Sequence, residues 1–511
     1  MSAISIFNHV IGPVMRGPSS SHTAGAYHIG RMARGLLGGA PAEATVAFDP
    51  AGSYAKCFRA QGADLAFAAG LMGWPITDER FPHALLAAED AGLSLAFAIQ
   101  RLDRPEHPNA VELRLATADG GVVEARAHSV GGGAVEFVRL AGWPVRLTGD
   151  AHEVLAEVAS RAAAWTLEVL SGDGQVLGEP VIQRRGGRTL LCVRRRAALP
   201  REARERLDAA RLWTSEPLFL TQVGEPLFAS ASEMVLLAEA RGASLGGIAL
   251  DYEAALLGLS GREVAEEMGR RLEVMRRAVE RGLAAPPAMQ LLGASAGGVL
   301  RAEKEGRLAA GGLHARAAAR ALAAMEVSSG MGVVCAAPTG GSAGVLPGVL
   351  VTLLEEKGLS GDGAVGALLA AGAIGVIVAN RATFAAEVAG CQVEIGAAGA
   401  MAAAAVVEAA GGSARQAADA AAVAFQNAMG SVCDLVQGIV ELPCHTRNAA
   451  AAANAFVCAD LVLGGYANPI PLDETIDAVY AVGQMLPAEL RCTALGGLAA
   501  TPSARAMRRL R

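Results

Sequence analysis

The run GAVGALLAAGAIGVIVAN, Gly363 to Asn380, decides what kind of protein this is. Its eighteen residues carry no charge and reach the minimum length for crossing a bilayer. Two structures satisfy that pattern, a membrane span and a helix buried in a protein core. The run is as rich in Gly and Ala as in branched residues, and it passes into Arg381 and Glu387. Small residues let helices approach closely, so a buried core helix is expected.

The rest of the chain fits that reading. The 511 residues are 52% apolar and 18% charged, enough to bury a large core in two to four domains. Aromatic residues are only 4%, so the core is expected to be built from Ala- and Gly-rich helices. The net charge of −6 offers no basic surface, which argues against nucleic acid and anionic membranes as partners. The N-terminus MSAISIFNHVIGPVMRG lacks a basic region followed by a long apolar run, so no signal peptide is expected, and a cytoplasmic location is. Eight cysteines in a reducing compartment point to metal or redox sites before structural disulfides.

Three regions differ in texture. Residues 1–141 mix β-rich runs (EATVAFDP, AVELRLAT, VVEARAHSV) with helical ones (YHIGRMARGLLGG, FPHALLAAEDAGLS). This predicts an α+β domain. Residues 142–222 predict a small βαββαβ module: strand WPVRLTG, helix DAHEVLAEVASRAAA, strands WTLEVLS and RTLLCVRRR, and helix PREARERLDAA. Residues 223–511 predict a large all-α domain. There SGREVAEEMGRRLEVMRRAVERGL sets Val264, Met268, Leu272, Met275 and Val279 on one helical face. The terminal SARAMRRLR reads as a solvated helix end.

Cys391, Cys433 and Cys444 lie in Gly- and Pro-punctuated loops of the helical region, as does Cys335. Cys458, inside an apolar helical run, reads as an ordinary small hydrophobe. Loop thiols suit zinc or an iron–sulfur cluster, whose soft ions prefer thiolate. No CxxC pair is present, so spacing alone leaves buried thiols as the competing reading.

Longer motifs surround these thiols. The N-terminal region carries GPSSSHTAG (17–25), EHPN (106–109) and VGGG (130–133). The helical region carries MGVVCAAPTGGSAGVLPG (331–348), GCQVEIGAAGAMAAAA (390–405), CDLVQGIVELPCHTRNA (433–449) and GGLAATPSAR (496–505). In this order they make the chain resemble the iron–sulfur-dependent L-serine dehydratases (L-serine ammonia-lyases) over nearly its whole length. The resemblance implies the family's beta and alpha parts fused in one chain, with an ACT-like module between them. It also implies a [4Fe–4S] cluster held by Cys391, Cys433 and Cys444.

Three thiolates leave one iron of such a cluster open as a Lewis acid, and a positioned base would take the Cα proton. Elimination would give 2-aminoacrylate, then pyruvate and ammonia. The resemblance makes Ser19, Ser20, Ser21, His22 and Thr23 a substrate-binding loop, with His107 and His22 as acid/base candidates. Asn109, Thr339, Ser342, Asn380, Arg447 and Asn448 are further candidates for holding substrate or the cysteine loops, Arg being suited to a carboxylate. The expected partner is a small amino acid, and a homodimer is expected.

Several positions depart from the family. Gln61 stands where its histidine would be, in GSYAKCFRAQGAD, and Ala63 replaces a threonine. Leu435 follows CD, Val393 follows Gln392 and precedes Glu394, His445 follows PC, and Ser328 replaces an asparagine. GASAGGV (293–299) lacks the usual aspartate. These changes keep open a lyase for another β-substituted amino or hydroxy acid (threonine, cysteine), and a non-catalytic sensor.

Overall fold

The computed structural model describes residues 3–207 and 211–510. It is multidomain, with a mixed α+β region and a large helical region. The strands in chain order are β1 (Val14–Arg16), β2 (Glu43–Phe48), β3 (Ser94–Ile99), β4 (Ala110–Ala116), β5 (Val122–Gly131) and β6 (Ala134–Leu140). They continue with β7 (Trp143–Leu147), β8 (His152–Ala159), β9 (Val181–Arg185), β10 (Arg188–Arg195), β11 (Arg211–Ser215) and β12 (Val333–Cys335).

A six-stranded sheet, ordered β3-β2-β4-β5-β6-β7, forms the N-terminal domain. Only β2 and β3 run parallel; the other pairs are antiparallel. The helices Gly25–Leu37 and Ala63–Met72 pack on each other, and the first also packs on β5. A shared core joins Phe48, Phe67, Leu113 and Phe137. WPVRLTG is the strand expected, but β7 extends this sheet rather than opening the next module.

The next segment does have the order β-α-β-β-α-β, displaced by one element from expectation. DAHEVLAEVASRAAA, expected as a helix, holds the strand β8. WTLEVLS, expected as a strand, lies in the helix Ala163–Ser171. The reason is burial. β8 is central in the sheet β11-β8-β10-β9, and six consecutive residues of it are buried, so ladder pairing overrides the helical preference of Ala and Glu. In WTLEVLS and the residue pair before it, Ala163, Thr166 and Leu170 are buried at helical spacing over this sheet. The helix expected in PREARERLDAA covers Arg201–Arg206; its last three residues lie outside the described ones.

The helical region is built as its composition requires. Helix Gly361–Arg381, which contains the opening stretch, packs against Ile395–Ala409 and Leu245–Leu257. A β-carbon on Gly375 would lie 2.1 Å from Val10 Cγ1, so the small residues of this helix admit the chain's first segment. That segment, Ile6–Val10, is a π-helical turn in the helical core, although it precedes the sheet domain. Buried Glu253 holds it by accepting from Ile6 N–H at 2.8 Å and Phe7 N–H at 3.0 Å. β1 then pairs antiparallel with β12, so the N-terminus belongs structurally to both domains. Helix Gly261–Ala284 buries all five stripe residues and starts with a capping box, Ser260 with Glu263. The terminal basic stretch has only the short helix Pro502–Ala506.

Candidate active site

The three loop thiols converge. Cys391 opens a 3-10 turn, Cys391–Val393, and Cys444 is the first residue of helix Cys444–Leu463. Cys433 lies between them in a loop, and all three are buried. The Cys433 thiol is flanked by those of Cys391 and Cys492, whose crowding pushes it well above the usual thiol range. Burial raises Cys444 as well, with Cys391 as the next cause. Backbone bonds fix the group: Cys433 N–H donates to Leu490 O at 2.8 Å, and Cys492 N–H donates to Cys433 O at 2.9 Å. Arg447 donates from Nη1 to Val432 O at 2.7 Å and from Nη2 to Asp434 Oδ1 at 2.9 Å. It thereby ties the Cys433 loop to the Cys444 helix and puts a positive charge near Cys391 and Cys444.

Among the described residues, no group of three or more His, Cys, Asp or Glu side chains is arranged to hold a single metal ion. A set of crowded buried thiols still fits a polynuclear thiolate-bound group. Such thiols resist deprotonation alone, and a cationic centre reverses that preference. Cys335, in β12, and Cys458, within a helix, stand outside this set.

The Ser-His loop of the N-terminal domain reaches this region through Glu387, which bonds Ser21 and acts on Glu394 and Cys492. Ser20–Ala24 is a π-helical turn leading into helix Gly25–Leu37, with Ser19 Oγ accepting from His22 N–H at 3.1 Å. His22 Nδ1 bonds Ser21 Oγ at 2.9 Å and its Nε2 bonds Ser53 Oγ at 3.0 Å. Burial lowers the His22 imidazole to about 4, so it is neutral at pH 7. Thr23 Oγ1 donates to Gln61 O at 2.7 Å, and Gln61 Nε2 donates to Gly438 O at 3.0 Å. The glutamine in the family's histidine position therefore touches both the Ser-His loop and the cysteine loop.

Two carboxylates complete the cleft, and neither was among the sequence candidates. Glu387 Oε1 accepts from Asn109 Nδ2 at 2.6 Å and also bonds Ser21. Glu394 Oε1 accepts from Thr339 Oγ1 at 2.6 Å, and its Oε2 is 4.0 Å from Cys391 Sγ. Burial raises both, Glu394 to about 7. Both keep some accessible surface, whereas Cys391, Cys433 and Cys444 are buried. Their one sequence signal is two acids flanking Cys391 within an almost uncharged Ala/Gly region.

The segment 338–344 packs against both halves of the site, with Thr339 on Glu394 and Gly340 beside the Ser20 backbone. Thr339 and Ser342 form a reciprocal cap. Asn448 Nδ2 donates to Gly341 O and Cys444 O, both at 2.9 Å, while its Oδ1 accepts from Gly344 N–H at 3.1 Å. Asn448 and Ser342 are fully buried, which makes them clamps of the loop. A β-carbon on Gly17 would lie 2.0 Å from Ser328 O, so the Ser-His loop docks closely on the helical domain.

Other expected residues fall elsewhere. Asn380 is exposed and donates to Ala229 O at 3.3 Å, and Arg381 pairs with Asp473 and Asp477. The helix end that carries both is on the outer surface, because its apolar part is what the core requires. His107 stacks on His128, and its Nδ1 accepts from Asn109 N–H at 3.1 Å; burial lowers it to about 4. It shapes the loop that presents Asn109. His445 is buried and bonds Ser329 Oγ at 2.8 Å, and Leu435 joins the helical core. Buried Glu441, beside the second cysteine motif, accepts from the N–H groups of Gln290, Leu291 and Leu292.

Residues 196–499 match the family model described as "Serine dehydratase alpha chain". The chain is 39% identical over 280 residues, 55% of its length, to 93% of the "Probable L-serine dehydratase, alpha chain" of Bacillus subtilis (strain 168). It is 40% identical over 151 residues, 30% of its length, to 66% of the "Probable L-serine dehydratase, beta chain" of the same organism. "L-serine dehydratase 1" of Escherichia coli (strain K12) is 31% identical over 291 residues, 53% of this chain and 61% of that protein. With alpha-chain and beta-chain likeness in one polypeptide, and the family's motifs gathered around one cleft, the chain belongs to the L-serine dehydratase family.

Proposed function

We propose that the chain eliminates water from L-serine, giving pyruvate and ammonia, with a [4Fe–4S] cluster held by Cys391, Cys433 and Cys444. The observation that carries this reading is the gathering of three motif thiols beside Glu394, whose neighbour Glu387 bonds the Ser-His loop, in a family whose curated relatives are named L-serine dehydratases. When bound, such a cluster supplies Lewis acidity to a poor leaving group.

The chain's own residues supply the rest. The Ser19–Thr23 turn presents hydroxyl and backbone donors to the substrate carboxylate. Neutral His22, oriented by Ser21 and Ser53, and His107, whose Nδ1 accepts from Asn109 N–H, are the two proton-acceptor candidates. Glu387 and Glu394, raised by burial, hold and pass protons inside the cleft. Residues Arg447, Asn448, Thr339 and Ser342 hold the cysteine loops.

Gln61 favours a second reading, the same elimination on threonine, cysteine or another β-substituted acid. It stands between the Ser-His loop and Gly438, where substrate shape would be sensed. The βαββαβ strand order supports an ACT-like regulatory module between the two larger parts. A cytoplasmic homodimer is part of the same reading, checked by size-exclusion chromatography with light scattering. The deciding experiment is anaerobic purification, cluster reconstitution and product analysis with L-serine, L-threonine and L-cysteine. Pyruvate from serine at an enzymatic rate, abolished in His22→Asn, supports the reading. Stoichiometric zinc with no iron uptake would sink it.

A further inference from the structure

Between the N-terminal domain and the βαββαβ module lies a cavity of about 280 Å³ that shares no lining residue with the thiol site. We propose that this cavity is an anion site, suited to a phosphate dianion, that clasps helix Gly25–Leu37 to the module.

Its lining is rich in unpaired cations. Arg31 and Arg34 come from the second half of helix Gly25–Leu37 and Arg204 from helix Arg201–Arg206, while Thr214, Ser215 and Glu216 come from the end of β11. Arg31 and Arg34 stand at i and i+3, so they share one helix face. Each spends Nη1 on a backbone carbonyl at the end of helix Ala63–Met72: Arg31 donates to Gly73 O and Arg34 to Leu71 O, both at 2.9 Å. A guanidinium carries more N–H donors than one carbonyl uses, so most of each fork is left over. Among the described residues neither of them forms an ion pair, nor does Arg204, although Arg201 on the same short helix pairs with Glu205. Burial, and then the nearby charge of Arg31, lower the Arg34 guanidinium from its usual value, so an arriving anion relieves a real penalty. Glu216 is the one carboxylate among the described lining residues. Three guanidiniums against one carboxylate leave a net charge of about +2, which matches a phosphate group near pH 7. Planar forks suit its several oxygens, and the volume admits phosphate alone or a small phosphate monoester.

The position gives occupancy a consequence. A β-carbon on Gly35 would lie 3.4 Å from Ser215 Cα, so the helix is seated directly on β11. The same helix begins at Gly25, immediately after the Ser20–Ala24 turn that carries His22. An anion held by Arg31 and Arg34 on one side and Arg204 on the other adds a link between the two units and steadies the mount of the Ser-His loop. The proposal stands apart from the cluster and the substrate, because no lining residue belongs to either.

The test uses the full chain, purified anaerobically and without substrate. Calorimetric titration in a chloride background of fixed ionic strength compares inorganic phosphate, glycerol 3-phosphate and succinate. Saturable binding of phosphate or its monoester at one site per chain is expected, and the tighter of the two identifies the source. Arg204 is exposed and its side chain makes no hydrogen bond among the described residues, so Arg204→Gln leaves the fold intact. That variant should bind about ten-fold more weakly. Glu216→Gln, which removes the opposing charge, should bind about three-fold more tightly. Bound phosphate should slow amide hydrogen exchange over residues 31–39 and 211–218. The proposal is overturned by succinate binding more tightly than both phosphates, by equal affinity in wild type and Arg204→Gln, by no saturable binding above the chloride background, or by exchange slowed only in other segments.

Discussion

Arg447→Ala is the perturbation that most directly tests how the thiols are held. Arg447 bonds Val432 O and Asp434 Oδ1 across the gap between the Cys433 loop and the Cys444 helix. Its side chain is 26% exposed and that of Asp434 is 4% exposed. Breaking a fully buried ion pair costs about 3–5 kcal/mol, because the remaining charge is stranded. Arg447 is partly solvated and Asp434 keeps its bond from Leu498 N–H at 2.8 Å, so about 2–3 kcal/mol is expected here. If that loss falls on the loop carrying Cys433, release of iron from the proposed cluster to a chelator should quicken by about 30- to 150-fold. The assay is anaerobic chelation followed by absorbance, with thermal unfolding of the metal-free chain as a second readout. Arg447→Lys keeps the charge but not the two-pronged geometry, so it should recover only part of the loss. An Arg447→Ala chain with wild-type chelation kinetics and an unchanged unfolding midpoint would refute the claim that Arg447 braces the cysteine loops.

Four further outcomes follow from the same geometry. Burial holds His22, His28, His107 and His445 at about 4, below the usual 6.5. The unfolded chain then binds more protons between about pH 6.5 and 4, so denaturant midpoints should fall as pH drops through that window. Glu394 acts in the opposite sense: its carboxyl is raised from 4.5 to about 7, so its contribution is lost as pH rises through that interval, and Glu394→Gln should remove that component of the pH profile. Gly17→Ala puts a β-carbon against Ser328 O and should undock the Ser-His loop; the check is loss of turnover with iron content retained. Ser329 Oγ donates to Val440 O at 2.6 Å and bonds His445 at 2.8 Å, both buried. Ser329→Ala should therefore lower stability by about 2–3 kcal/mol in urea unfolding, through two unsatisfied groups.

Much of the fold was legible. The helical stripe of 261–284, the strands β2, β4, β5 and β7 of the N-terminal sheet and the buried nature of 361–381 all follow from hydrophobic periodicity and small-residue content, whereas β3 went unread. The failures cluster in residues 143–171. There Ala and Glu favour helix locally, but β8 is the sheet's second strand, buried along almost its whole length, and ladder pairing prevails. The first sixteen residues also misled, since sequence order placed them with the sheet domain. The side chains of Ile6 and Val10 instead fill a gap that Gly372 and Gly375 leave in helix Gly361–Arg381.

The site divides in the same way. Motifs in sequence named Cys391, Cys433, Cys444 and the Ser-His loop, because each is a local cluster of unusual residue types. Cys492 carries no motif of its own and joins the group only through its backbone ladder to Cys433. Glu387 and Glu394 are unremarked acids until burial raises their affinity for protons, and desolvation belongs to the surroundings rather than to the residue. Asn380 shows the reverse: it reads as polar and near a motif, yet the helix that carries it turns it to the surface. Sequence alone thus determined which chemical groups the chain owns and the periodicity that buries its helices. Tertiary structure decided which of those groups meet and in what protonation state, because contact between distant residues and loss of water arise only when the domains close on one another.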